Sequence, residues 1–297
     1  MKPEFSAIPH PYLVPFDGSF RLAEAPTEPP PDVVDKKTRK ADLATAVELL
    51  DTLQRQLYAE DKHAVLLVFQ AMDAAGKDST IRAIFSGVDP AGCEVHAFKQ
   101  PSAEELDHDF LWRTARRLPP RGKIGIFNRS YYEEVLAVRV HPEWLDAQKL
   151  PRRPKRLVDL WAERYESIRA HEEHLARNGT VILKFWLNVS RDEQKARFLS
   201  RLDEPEKNWK FAPADVAERA HWDTYMTAYE DALNATSRPH APWYAIPADN
   251  KSWMRLSVAQ ILIASLQSLK LAYPQPGEEQ AARFAQMREQ LARGDER

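Results

Sequence analysis

Cysteine is almost absent: Cys93 stands alone among 297 residues, so no intrachain disulfide can form and the chain fits a reducing compartment. An excess of either charge is missing too. The formal net charge is −2, so any polyanion must be held by a local patch and not by the field of the whole molecule. No run approaches the roughly 18 apolar residues of a membrane helix, and no early basic-then-apolar stretch resembles a secretion signal. These absences give a soluble, cytoplasmic chain with no membrane partner. There is no internal repeat, and the histidines from His63 to His240 show no metal-binding spacing. With 43% hydrophobic and 29% charged residues the chain is not of a disordered type, and its length suits one large α/β domain or two small ones.

What is present begins with a proline-rich stretch over 1–37, where Pro26, Pro29, Pro30 and Pro31 crowd together without sustained periodicity. It reads as an extended arm lying on the body. From Leu43 the positions Val47, Leu50, Leu53 and Leu57 follow helical spacing. Short apolar runs then recur at Val65 to Phe69, Cys93 to Phe98, Ile124 to Phe127, Val181 to Val189 and Trp243 to Ile246, separated by longer helix-like stretches. Alternation of this kind predicts an α/β fold with a five-stranded parallel sheet between helical layers, and the loop that follows the first of these strands, described next, suggests the P-loop kinase type. Ligands of such sheets bind beyond the carboxyl ends of the strands. The domain is expected over 38–271, and the tail over 272–297 has Phe284, Met287 and Leu291 at helical spacing, expected to pack on the body or on a partner subunit.

Beyond the first apolar run comes Gln70-Ala71-Met72-Asp73-Ala74-Ala75-Gly76-Lys77-Asp78-Ser79-Thr80. Ala74, Ala75 and Gly76 carry little or no side chain, so backbone N–H groups can approach phosphate oxygens ahead of a helix N-terminus. Lys77 adds a point charge, and Asp78, Ser79 and Thr80 open the helix. The pattern departs from G-x-x-x-x-G-K-[ST], because Met72 and Asp73 stand where more glycine is expected and Asp78 follows the lysine. A carboxylate in an anion cradle calls for a cation, which makes Asp73 a candidate ligand for Mg²⁺ bridging phosphates. An ordinary strand-to-helix turn with a surface lysine is the competing account.

The third run ends in Asn128-Arg129-Ser130-Tyr131-Tyr132-Glu133-Glu134. A polar ligand at the tip of an apolar strand is the shape of a second metal-and-phosphate element, and Arg129 offers a bidentate fork to phosphate oxygens. Equally, Asn128 can cap a helix while Arg129 is solvated.

The loop Asp73 to Asp78, the strand end Phe127 to Tyr132, and the stretch Arg197-Phe198-Leu199 through Arg201 to Pro205, Lys207, Trp209 and Lys210 together resemble the three signatures of the polyphosphate kinase 2 family. The likeness runs from about Lys37 to Leu271. It implies that the first two signatures are Walker A and Walker B elements and that the third lies in a helical lid, about 191–215. By that resemblance Asp73 organises metal, Lys77 binds phosphate, Arg129 clamps phosphate, and Arg197 and Arg201 close from the lid with Lys207 and Lys210. Many members have Asp where this chain has Asn128, and Asn where it has Glu133. Direct metal ligation then shifts away from Asn128, and Glu133 becomes a candidate metal or acceptor-positioning carboxylate. The form Phe-Asn-Arg-Ser-Tyr-Tyr-Glu resembles the subgroup acting on both nucleoside mono- and diphosphates.

The resemblance implies transfer of the terminal phosphate of inorganic polyphosphate to AMP or ADP, reversibly, with Mg²⁺, or Mn²⁺ in its place, and a homo-oligomer, dimer or tetramer. Adenine nucleotides are the expected acceptors, with guanine as a second class. From the residues alone, Arg197 and Arg201 share a helix face but sit among nearly balancing acids, as a solvated helix would. Two acid-free strips, Arg113 to Lys123 (with Arg116, Arg117 and Arg121) and Lys149 to Arg156, suit a long polyanion, although each can equally be a solvated basic face. Lys99 falls just after the second strand, at the rim, and Asp249 or Asn250 after the last reads as a helix cap. No nucleic-acid-reading module accompanies the basic strips, so nucleic acid is not expected as a partner. Rival functions are an ATP-dependent nucleoside monophosphate kinase and a non-catalytic nucleotide or polyphosphate sensor.

Overall fold

The seven residues of β1 (Ala64–Gln70) are all buried, as expected of a strand covered on both faces and flanked on both edges. The computed structural model describes residues 2–294. Before β1 lies α1 (Lys36–Glu60), capped by Asp35, whose carboxylate accepts from Lys37 N and Thr38 N. After it come α2 (Lys77–Phe85), β2 (Cys93–Ala97), the single turns α3 (Ala103–Leu106) and α4 (Trp112–Ala115), β3 (Ile124–Asn128) and the turn α5 (Ala137–Val140). The chain continues through α6 (Leu157–Arg177), β4 (Thr180–Asn188), α7 (Arg191–Asp203), α8 (Pro213–Ala220), α9 (Trp222–Thr236), β5 (Trp243–Pro247), α10 (Lys251–Ser268) and α11 (Glu278–Gly294).

All strand pairings are parallel, in the order β2-β3-β1-β4-β5. Helices α1, α2 and α10 pack together on one face, and α6 and α9 on the other, which makes three layers. The expected fold class and all five strands are therefore present. Between β4 and β5 the chain builds α7, a 3₁₀ turn (Pro205–Lys210) and α8 at the carboxyl edge.

The N-terminal arm seals one sheet edge. Leu13 bridges Tyr244 of β5 in antiparallel fashion, Val14 N donates to Trp243 O (2.9 Å), and Ala245 N donates to Tyr12 O (2.8 Å). Unpaired edge groups are thereby satisfied by the chain itself, and Phe5, Tyr12 and Val14 enter the core. The opposite edge, β2, is open, with Val95 54% exposed. At the other terminus α11 forms, but Phe284, Met287 and Leu291 are all exposed, so it does not pack on the body as one of the two expectations had it. Among the described residues no helix is long and apolar enough to cross a membrane.

Candidate active site

The carboxyl ends of β1 and β3 deliver the two halves of the site side by side, because Phe69 and Asn128 are register partners. The ladder runs one bond further, from Arg129 N to Phe69 O (3.0 Å). There the backbone takes conformations most residues avoid: Ala74 at φ 62°, Gly76 at φ 110° and Arg129 at φ 64°. Such strain on non-glycine residues persists only where the surroundings enforce it, and it clusters at functional sites.

On the loop after β1, side chains of α7 hold it in place. Arg197 of α7 is buried and donates from Nη1 to Ala75 O (2.6 Å) and Ala74 O (3.2 Å), from Nη2 to Ala248 O (2.6 Å) and Asp249 O (3.1 Å), and from Nε to Glu193 (2.7 Å). Gln194 Nε2 donates to Asp73 O (3.0 Å). Arg197 is thus a bracket behind the loop after β1, tying it to the end of β5, with its terminal nitrogens occupied by main-chain oxygens and Nε by the Glu193 carboxylate. Of the expected arginine pair, Arg197 is turned inward onto these carbonyls, while Arg201 lies 3.6 Å from Asp215 and against the Phe198 ring. The side chains of Lys207 and Lys210 lie outside the described residues.

In front of the loop, Arg129 Nη2 donates to Asp73 Oδ1 (2.8 Å), and Nη1 sits 3.6 Å from Glu133 Oε2. The Glu133 and Asp73 carboxylates hold the guanidinium firmly charged. Lys77 is buried, with Nζ donating to Ala71 O (2.9 Å) and Met72 O (3.4 Å). Burial and the nearby Arg129 lower its pKa, while Asp73, Glu133 and Asp78 oppose them. The Asn128 amide donates to Asp78, so Asn128 does not cap; Ser130 does, accepting from Tyr132 N (3.1 Å). Asn250 caps α10 at Trp253 N (3.2 Å), whereas Asp249 accepts from Ser190 N (2.7 Å) at the start of the lid.

Not every expected residue reaches the cleft. Thr80 is fully buried, with its hydroxyl 3.8 Å from Met254 Sδ in the α2–α10 interface. Ser79 Oγ donates back to Gly76 O (3.0 Å). Lys99, Arg113 and Arg117 do not line the cleft; Arg113 donates to Lys99 O (2.7 Å) and lies over the Phe98 ring. Arg121 bonds Lys62 O and Asn178 O, and Lys123 bonds Glu94 (2.8 Å), all at the amino edge of the sheet, away from the loop. In the second strip Lys149 pairs with Asp107, Arg152 with Glu163, Arg153 with Asp146 and Arg156 with Asp159, so that strip is a salt-bridged surface.

The sequence reading missed the far wall of the cleft. Ala71, Met72, Asp73, Arg129, Glu133 and Leu136 face Tyr225 and Tyr229 of α9 and Glu218 of α8. Tyr225 Oη donates to Glu218 (2.8 Å), and both tyrosine pKa values are pushed up, first by burial and then by Glu218 for Tyr225 and by Glu133 for Tyr229. The i, i+4 spacing of the tyrosines was the available signal. Also unread was the polar cluster beneath Tyr131 and Tyr132: Lys184 Nζ donates to Glu172 (2.6 Å), Tyr132 Oη (2.9 Å) and Thr236 O (2.9 Å), and both tyrosines donate to Glu172 Oε1.

A profile of the family described as Polyphosphate kinase 2 matches residues 33–274. The chain belongs to the polyphosphate kinase 2 family. Within it, an ADP-polyphosphate phosphotransferase of Rhodopseudomonas palustris is 54% identical, over 91% of this chain and 93% of that one. An AMP/ADP-polyphosphate phosphotransferase of Meiothermus ruber is 46% identical, over 89% and 95%. The crystal structure of polyphosphate kinase 2 from Arthrobacter aurescens superposes with a TM-score of 0.82 at 38% identity, covering 96% of this chain and 99% of that one. In this chain of the polyphosphate kinase 2 family, Arg129 bridges the loop after β1 and the segment after β3, with Asp73 and Glu133 each beside one of its terminal nitrogens.

Proposed function

We infer that this enzyme transfers the terminal phosphate of inorganic polyphosphate to AMP or ADP, reversibly. The observation that carries this reading is Arg129, held at φ 64° between Asp73 and Glu133 and beside the buried Lys77, in a chain that belongs to this family. Relatives named for ADP and for AMP/ADP transfer, at 54% and 46% identity, support both acceptors.

The acceptor is already an anionic phosphate, so no strong general base is needed. The work is in-line positioning and neutralisation of charge. Lys77 has three N–H donors and gives two to carbonyls, which leaves one for a donor phosphate. Arg129 reaches the acceptor from the opposite side, in the cleft walled by Tyr225 and Tyr229, and Glu133 orients it. Arg197 and Gln194 keep the loop carbonyls turned away from the phosphates. Arg201 joins from the lid when it leaves Asp215, whose pKa is raised first by burial and then by the charge of Asp73.

Asp73, Asp78, Asn128 and Glu133 are hard oxygen donors at the loop, which fits Mg²⁺, or Mn²⁺ in its place. Among the described residues no cluster of three His, Cys, Asp or Glu could hold a metal by itself. That suits an ion held by one or two carboxylates together with substrate phosphates, Asp73 foremost. When bound, such an ion neutralises developing negative charge on the transferred group.

The test is to incubate purified protein with Mg²⁺ and AMP or ADP, with long-chain polyphosphate, with ATP as sole donor, or with neither. Polyphosphate-dependent formation of ADP and ATP is expected; phosphate transfer only from ATP would overturn the reading. Glu133→Asn is expected to change the ratio of AMP to ADP turnover, and an unchanged ratio removes Glu133 from its acceptor role.

A further inference from the structure

The two glutamates that end the 3₁₀ turn after β3 (Tyr131–Glu134) have opposite surroundings. Glu133 turns to the cleft, partly exposed beside Arg129, whereas Glu134 points into the body and is buried. Beneath it lies Arg164 of α6, also buried, whose Nη1 donates to Glu134 Oε2 (3.0 Å) and to the Glu134 main-chain oxygen (2.7 Å). Nη2 donates to Gln148 Oε1 (2.5 Å), and Gln148 Nε2 donates in turn to Glu134 Oε2 (2.7 Å). The guanidinium lies over the rings of Phe110 (5.3 Å) and Trp161 (5.6 Å), which favour one setting of its plane.

This knot holds more than a carboxylate. Arg164 grips one residue by side chain and main chain together, and that residue directly follows Glu133. Further along the buried face of α6, Glu172 accepts from the Tyr131 and Tyr132 hydroxyls, so one helix face anchors both ends of the turn. Between the anchors the Glu133 main chain is held as well, its N donating to Ser130 O (3.1 Å) and its O accepting from Leu136 N (3.3 Å). A buried ion pair is a weak device for stability, since apolar side chains of like volume often serve as well or better. It is a strong device for geometry, because a planar fork and a carboxylate fit together in few ways. Here that geometry is fixed one residue from the cleft.

We propose that Arg164, acting through Glu134, is a positioning residue that sets where the Glu133 carboxylate meets the acceptor, and so tunes the choice between nucleoside mono- and diphosphate, which rests on the acceptor role of Glu133 proposed above. Loosening the grip on Glu134 lets the Glu133 main chain shift. The loop after β1 stays in place, because Gln194 and Arg197 hold it independently. Changes at Arg164 therefore reach the acceptor and not the donor.

The experiment measures AMP and ADP turnover with long-chain polyphosphate in wild type, Arg164→Met, and the Arg164→Met, Glu134→Met double variant. Arg164→Met leaves Glu134 buried and unpaired and is expected to lower Tm, and the double variant to recover most of that loss. In the double variant the ratio of AMP to ADP turnover is expected to change by on the order of threefold or more, with KM for the nucleotide raised and KM for polyphosphate held. An unchanged ratio, or equal rises in both KM values, would refute the positioning role. If the double variant does not fold, Arg164→Lys replaces it, keeping a cation against Glu134 without the fork, and the same ratio decides. Repeating the comparison in a Glu133→Asn background reads the route. There the changes at Arg164 and Glu134 should move the ratio no further, and a full additional change overturns the proposal. Glu133→Asn alone separates the two readings. If it moves the ratio and the Arg164 variants do not, only the positioning role falls; if it leaves the ratio unchanged, the acceptor role of Glu133 falls and the positioning role with it.

Discussion

Among the described residues two lysines are buried, Lys77 and Lys184, and they are opposites. Lys184 gives its three donors to Glu172, Tyr132 Oη and Thr236 O, and burial, only partly offset by the Glu172 charge, pushes its pKa down to about 8. Lys77 gives two donors to carbonyls and none to the carboxylates of Asp73, Glu133 and Asp78 around it. Burial of a charge is therefore no sign of function by itself. An unspent donor is the better sign, because a fully satisfied buried charge has nothing left for a ligand.

The contrast breaks or sharpens as follows. Lys77→Ala is expected to cut turnover by about 10³-fold or more with a smaller drop in urea midpoint than Lys184→Met, since it leaves two carbonyls without a donor but no unpaired carboxylate. A variant that unfolds, or one that keeps its turnover, would erase the distinction. Lys184→Met should do the reverse, costing about 3–5 kcal/mol in urea denaturation by leaving Glu172 charged and unpaired. Adding Glu172→Met should recover part of that loss, and no recovery would mean that packing and not charge sets the cost. Tyr132→Phe should cost about 1–3 kcal/mol, because a Lys184 donor loses its acceptor.

The smallest effect is a slope. With the Lys184 pKa lowered from 10.5 to about 8, the unfolded chain binds a proton that the folded chain has released across that window. Stability then rises with pH between about 8 and 10.5 by at most about 1.4 kcal/mol per unit, and it is lowest below 8. Tyr131 and Tyr132, whose pKa values are raised by burial and Glu172, act oppositely from pH 10 upward, so the slope is read between 8 and 9.5. The Lys184→Met, Glu172→Met double variant should lack it.

The loop after β1, the polar end of β3 and the five strands were legible because each is a local pattern: an apolar run, small residues, then a charge. Lys184 was legible too, as the one charge inside Val181 to Val189, yet a strand period does not say what lies beneath it. Arg197 misled because helix spacing shows which face a side chain shares, not whether carbonyls from the loop and from Ala248 claim it first. Arg121 and Lys123 misled for a different reason. A strip read in sequence carries no information on which end of the sheet it reaches, and these precede β3 where the site follows it. Tyr225 and Tyr229 entered the cleft through tertiary packing of α9, which no window of a dozen residues encodes.

The N-terminal strap has a consequence for the order in which the protein is made. Ile8 and Tyr244 exchange hydrogen bonds across a sequence separation of 236, Phe20 exchanges bonds with Asn234, and Thr27 O accepts from Asp249 N beside the lid. The arm thus waits for partners synthesised more than 200 residues after it. Until β5 emerges, that edge of the sheet is unsealed and the strap has no groove, so edge closure and the Thr27–Asp249 bond beside α7 come together, late in synthesis and just ahead of α10.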